Sequence, residues 1–365
     1  MKTRTAAQVV THLQGTQLLF RRLAVIAGLL CLANQNVAAQ HKAYQETNHA
    51  SLPPGIPKYT PVKNLSGQLS SVGADTMESL MKLWIEGFTR IYPDVHFTME
   101  AKASGTAAPA LITGNAQLGP VAREMLPGEE DAFREKYGYP PTPIAVAGGS
   151  YRMPGFTHAI AFFVNKENPI EKLSFQQLDA IFSMTRRGGY AQEITTWGQL
   201  GLKGEWADAP IHLYGLKRPN GIAHFLQIRI LEGGEYKDGI HEYTTVGSLP
   251  ALDAIAQEVG KDRLGIGYSG FSSLTPDVKA VALAKTSAGP YYAGTFDEVV
   301  SQEYPLTRFI YVYVNRAPDK AYNPLVGEFL KFALSNQGQQ AVVNQGVFLP
   351  LPAKILSRER AKLSK

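Results

Sequence analysis

The residues best suited to chemistry fall at three corners, each where a strand ends and a helix begins. Leu69-Ser70-Ser71-Val72-Gly73 reads as a strand running into Ala74-Asp75-Thr76-Met77. Beyond it Leu80, Met81, Leu83, Trp84, Ile85 and Phe88 recur at helical spacing, with Asp75 or Thr76 as the cap. The second corner follows Val95 to Met99, which alternates apolar and polar residues, and turns at Ala103-Ser104-Gly105-Thr106 into a helix through Ala107, Ala108, Ala110, Leu111 and Ile112. The third joins a strand over Ile211–Gly215 to a helix over Ala223–Leu231 through Lys217-Arg218-Pro219-Asn220-Gly221, and it carries fixed positive charge. Such corners gather unpaired backbone N–H groups, the positive end of a helix dipole and hydroxyl donors, which suits a bound oxyanion. Ordinary helix capping explains the same serines and threonines, and the two roles are compatible.

The elements around these corners alternate strand and helix over most of the chain, the pattern of α/β lobes whose ligands settle at the carboxyl edge of the strands. Ile144–Ala147 and His158–Asn165 are near-continuous apolar runs, as in strands buried on both faces. Ser174 begins a short amphipathic helix ending at Phe182, and Pro127–Tyr137 is a charged helix. Leu249–Val259 and Pro324–Ser335 read as helices, Gly265–Ser269 and Phe309–Asn315 as strands. Trp197 and Trp206 read as packing or loop anchors.

At 365 residues the chain is long enough for two lobes with substantial cores. Lys2, Arg4, Arg21 and Arg22 precede an apolar run, Leu23–Leu32, and small residues at Val37-Ala38-Ala39 precede Gln40. Residues 1–39 therefore read as a cleaved secretory signal peptide, since the run is far short of the roughly twenty residues that cross a bilayer. Removing them leaves 32 basic against 31 acidic residues, a net charge of +1, and takes away the single cysteine, Cys31. That balance argues against a nucleic-acid surface, and a cysteine-free exported chain must hold itself together by its core. Residues 40–65, with Pro53, Pro54, Pro57 and Pro61, read as a flexible or extended linker.

In order, the Gly73–Met77 corner, Ser104-Gly105-Thr106, the segment from Leu173 through Ile181-Phe182 to Thr196-Trp197, the Arg218 corner, Leu264–Tyr268, Tyr304–Arg308 and the closing stretch from Leu334 to Leu351 resemble the phosphate-binding subunits of bacterial phosphate ABC transporters. The resemblance covers about Ser66 to Pro352. It implies the two-lobed periplasmic binding protein fold of type II, α/β, each lobe a mostly parallel sheet flanked by helices with the cleft between. The expected division is lobe 1 over 66–155, lobe 2 over 156–268, a return to lobe 1 over 269–352 and a C-terminal tail over 353–365. Hinges are expected near Gly148–Thr157 and Gly267–Leu274. The implied protein is a periplasmic, monomeric receptor that needs no cofactor or metal, catalyses nothing, and delivers phosphate or a similar oxyanion to a permease in the inner membrane.

Carried over position by position, Thr76 would give its hydroxyl and Met77 its amide, and Ser104, Gly105 and Thr106 hydroxyl and amide donors. Arg218 would make a charge-assisted contact, with Asn220 and Gly221 completing the ring from the opposite lobe. Asp75 and Arg123 are candidates for selectivity or secondary contacts. Two departures bear on the ligand: Ile222 stands where the resemblance implies a hydroxyl, and Ala122 where it implies an acidic or hydroxyl residue. A carboxylate acceptor would favour a protonated phosphate over sulfate, and Asp75 is the nearest candidate. Arg218 and Arg123 would equally serve in salt bridges. The alternatives are a receptor for another oxyanion, a non-transporting sensor of the same fold, and a phosphatase-type hydrolase built on Asp75, Ser71, Ser104 and His224. The last lacks a GxSxG elbow and an HExxH pair.

Overall fold

The computed structural model describes residues 50–364. The signal peptide expected over 1–39 and the start of the linker lie outside the described residues. Among the described residues no helix is long and apolar enough to cross a membrane.

The first core is built on β1 (Gly67–Ala74), α1 (Glu78–Ile91), β2 (Val95–Lys102), α2 (Ala107–Thr113), β3 (Gly119–Val121), α3 (Pro127–Tyr137) and β4 (Thr142–Gly148). Leu80, Met81, Trp84 and Phe88 form one buried stripe of α1, as their spacing predicts. The chain then builds a second core from β5 (Ile160–Asn165), β6 (Lys172–Ser174), α4 (Phe175–Phe182), β7 (His212–Leu216), α5 (Gly221–Arg229), β8 (His241–Tyr243), α6 (Ala251–Lys261), β9 (Gly265–Gly270), β10 (Val278–Ala280), β11 (Ala282–Ala284) and α7 (Phe296–Val300). The Ser174 hydroxyl caps α4 by accepting from the Gln177 amide. β12 (Phe309–Val314) returns to the first core, followed by α8 (Pro324–Ala333), α9 (Asn336–Gln345) and α10 (Ala353–Lys362).

The sheets are mixed, which corrects the expectation of mostly parallel ones. β1 and β2 are parallel, with Gly67 opposite Val95 and Ala74 opposite Lys102, but β12 is antiparallel to both β3 and β4. In the second core the order is β10-β5-β9-β7-β8, antiparallel across β10, β5 and β9 and parallel across β9, β7 and β8. The cause is the route of the chain. β4 leaves the first core and β12 re-enters it at the same crossing, so the two must run in opposite directions. The crossing segments are tied to each other, Gly149 N donating to Arg308 O (2.8 Å) and Ile160 N to Leu306 O (3.3 Å).

The second core also takes in Phe271, Val278, Leu283, Val299, Tyr304 and Leu306, residues that the sequence reading gave to the return segment. Two further stretches differ from expectation. Residues 50–64 are no free linker: Ile56 and Tyr59 are buried in the first core, Asn336 N donates to Pro57 O (2.9 Å), and Tyr59 Oη donates to Glu328 Oε2 (2.7 Å). The expected tail is helix α10, where fully buried Glu359 accepts from Ala145 N (3.0 Å) and Lys362 Nζ (2.6 Å). Proline-rich and charged composition concealed both, because a few buried side chains suffice to dock a short segment.

Candidate functional site

The ends of β1, β2 and β3 meet at one edge of the first core. Gly73 is required there, because a Cβ on it would collide with the Pro120 carbonyl. β1 runs into a single 3-10 turn, Asp75–Met77, before α1 begins. Neither Asp75 nor Thr76 caps that helix: the Asp75 carboxylate accepts from the Thr76 amide (2.8 Å), and the residue flanking α1 is Met77, whose side chain is buried in the core. Thr76 Oγ1 is shut from solvent without a hydrogen-bond partner among the described residues, as is Ser71 Oγ on the same strand. Buried hydroxyls seldom go unpaired without a reason.

β2 turns at Ser104–Thr106, again a 3-10 turn, into α2. The hydroxyl of Thr106 donates to Ala103 O (2.7 Å) and serves the turn. Ser104 Oγ accepts from Ala122 N (3.1 Å), which leaves its own proton to give.

Beside this turn stands Arg123, its Nη1 and Nη2 each 2.7 Å from a carboxylate oxygen of Glu129, with Nη1 also donating to Glu124 O (2.9 Å). Glu129 accepts in addition from Leu126 N (2.8 Å) at the start of α3, and a Cβ on Gly105 would lie 3.5 Å from its Oε1. Burial alone would raise the Glu129 pKa. The Arg123 pair, the Leu126 amide and the His224 charge outweigh it and hold the carboxyl below its ordinary value.

The third corner faces the same place from the second core. A Cβ on Gly221 would lie 3.0 Å from Arg123 Cδ, so the two lobes touch there. Asn220 Oδ1 caps α5 by accepting from Ile222 N (2.8 Å). Arg218 Nε donates to Glu242 Oε1 (2.6 Å), and its guanidinium lies over the Tyr236 ring at 4.9 Å. The structure thus brings Gly105, Arg123 and Gly221 together. Arg218 lines, together with Glu129 and Asn220, a cavity of about 850 Å³ whose walls include Leu126 and Pro127 on one side and Met184, Ala223 and Tyr236 on the other.

Sequence reasoning missed a further charged cluster at the crossing. Arg308 is buried, 3.9 Å from Glu124 Oε2 and 5.1 Å from the Phe225 ring centre. Its Nε has no hydrogen-bond partner among the described residues. Burial pushes its pKa down against the pull of Glu124. Both ring nitrogens of fully buried His158 likewise lack partners there; burial first, then the Arg308 charge, lowers its pKa to about 4. The signal available in the sequence was Arg308 itself, a lone cation opening an aromatic, β-branched strand.

A profile of the PBP superfamily domain matches residues 60–337. A curated relative named phosphate-binding protein PstS, from Pseudomonas aeruginosa, is 42% identical over 309 residues, 85% of this chain and 91% of that protein. One of the same name from Staphylococcus epidermidis is 23% identical over 76% of this chain and 78% of its own length. The crystal structure of PstS from Borrelia burgdorferi, at 18% identity, superposes with a TM-score of 0.50 over 79% of this chain and all of that one. With a profile spanning most of the described residues and a relative at this identity, the chain belongs to the PBP superfamily and, within it, to the family of the curated phosphate-binding proteins.

Proposed function

We propose that the protein is an exported, periplasmic receptor that captures phosphate between its lobes and passes it unchanged to an ABC permease. The observation that carries the reading is the buried, unpartnered Thr76 hydroxyl at the end of β1, next to the Ser104–Thr106 turn on the neighbouring strand. Thr76, Ser104 and the amides of Met77 and Gly105 hold the anion from the first lobe, while the Thr106 amide, like its hydroxyl, is spent on Ala103 O (3.0 Å). Arg123, Gly221 and Asn220 close on it from the lobe contact, and Asp75 orders the Thr76 amide rather than reading a ligand proton. The lobes comprise 50–148 with 309–364, and 159–306, and they move about the crossing segments between them. Transfer chemistry has no support, since neither Ser71 nor Ser104 has a histidine hydrogen-bond partner among the described residues.

Calorimetric titration of the ligand-stripped protein with phosphate and then sulfate at neutral pH tests this. Saturable 1:1 phosphate binding with weaker sulfate binding is expected, and the absence of phosphate binding overturns it. Arg218 acts on the anion through its charge, already offset by Glu242 in a half-exposed pair. Arg218→Ala is therefore expected to weaken phosphate binding by only about threefold, in keeping with the modest worth of such pairs. A loss of a hundredfold in the same titration would mean that the arginine leaves Glu242 to grip the anion.

A further inference from the structure

On its outward crossing the chain passes from the first core to the second within a few residues. Phe156 packs on the first core, its ring 6.0 Å from that of Phe348, and Ala159 is already buried in the second. Thr157 and His158 lie between them, both buried. Thr157 has a φ of 53°, in the left-handed region that β-branched residues rarely enter. Its surroundings hold it there. Ser150 N donates to Phe156 O (3.0 Å) and Ala159 N to Ser150 O (3.1 Å), which brackets Thr157 on both sides. A Cβ on Gly149 would come within 1.9 Å of the Thr157 carbonyl oxygen, so only glycine fits opposite it. Backbone strain of this kind persists only where the neighbours impose it, and it gathers at sites that bind or move.

The Thr157 hydroxyl donates to Ala122 O (2.5 Å). Ala122 follows β3 in the first lobe, and its own amide donates to Ser104 Oγ (3.1 Å). One residue is therefore gripped from two sides, by the crossing at its carbonyl and by the anion corner at its amide. We propose that Thr157 is a positioning residue for the anion site: it fixes Ala122, and Ala122 in turn aims the Ser104 hydroxyl. This rests on the reading that Ser104 gives its proton to the anion. A hydroxyl oxygen has two lone pairs and one proton, so an amide donating to one lone pair limits where the proton points. With Ala122 released from Thr157, that amide is free to turn away and Ser104 loses its fixed direction. The same bond ties donor geometry to lobe position. Rotation of the lobes is taken up where the chain changes core, between Phe156 and Ala159, and the Thr157 hydroxyl carries it to Ala122.

The test is a double-mutant cycle on the ligand-stripped protein, read by calorimetric titration with inorganic phosphate. Thr157→Val keeps the branched shape and removes the hydroxyl, and it is expected to weaken phosphate binding about tenfold. Thr157→Ser keeps the donor and should stay within about threefold of the parent. On a Ser104→Ala background the valine change should cost less than about twofold, because the group that Thr157 positions is gone. A threonine that served the fold alone would cost the same factor in both backgrounds, and that result overturns the proposal. A Thr157→Val variant that binds phosphate like the parent overturns it too. Where thermal melts show that the valine variant does not fold, Thr157→Ala carries the same cycle, since it removes the hydroxyl together with the branch that crowds a left-handed residue. A parent that binds no phosphate removes the phosphate reading and this proposal with it, whereas the two contrary results leave that reading standing.

Discussion

Replacing Thr76 by Val should weaken phosphate binding by roughly 10- to 100-fold while leaving the unliganded protein at least as stable as the parent. The two halves of that expectation have one cause. In the free protein the Thr76 hydroxyl is buried without a partner among the described residues, so it already bears the cost of lost hydration. Valine has nearly the same shape and no polar atom, and substituting it relieves that cost. With phosphate bound, the hydroxyl gains a charge-assisted hydrogen bond, worth about 1.5 to 3 kcal/mol. Thr106→Val is the natural contrast. That hydroxyl donates to Ala103 O at 2.7 Å, so its loss should appear as about 1 kcal/mol of stability with little change in affinity. Thermal melts with and without phosphate, together with calorimetry, separate the two variants. Should Thr76→Val instead lose stability and keep its affinity, the hydroxyl would be structural and the anion would bind elsewhere.

The contrast between these two threonines also marks how far the sequence could be read. Strand, small-residue turn and helix were legible at all three corners, because period-2 and period-3.6 patterns report which face an element buries. Which hydroxyl serves the turn and which stays free was not legible, since Thr76 and Thr106 occupy similar local patterns and differ only in where their side chains end. The bounds of α3 and the serine cap of α4 were readable because their signals are local. Strand direction was not: β4, β5 and β12 are apolar throughout whichever way their neighbours run, and only the double crossing between cores makes their pairings antiparallel. Arg218 illustrates the same limit. Its corner was found from sequence, but Glu242 and Tyr236, which hold its guanidinium, lie 24 and 18 positions further along the chain. Arg308 and His158 were hidden for a related reason, since nothing local distinguishes a buried cation at a crossing from a solvated one beside a strand.

That crossing yields a pH effect on the acid side of neutrality. His158, the last residue before the second core, is buried with both ring nitrogens lacking a side-chain partner among the described residues, and its ring fills the space where a Gly270 side chain would stand. Burial, reinforced by the Arg308 charge, lowers its pKa from 6.5 to about 4. The unfolded chain therefore binds a proton through a range of pH in which the folded chain refuses it. Stability from this group is intact above about pH 6.5 and is lost progressively as the pH falls toward 4. Between pH 7 and pH 5 the loss amounts to about 2 kcal/mol. His158→Phe keeps an aromatic ring of similar size and removes the titration. The variant should gain about 2 kcal/mol on the parent between those pH values in urea unfolding. Glu129 and Asp262, whose carboxyls are held below their ordinary values, also lose stability as pH falls. They do so equally in parent and variant, so the difference between the two isolates the histidine. Parallel pH profiles would show that His158 takes up its proton in the folded protein as readily as in the unfolded chain.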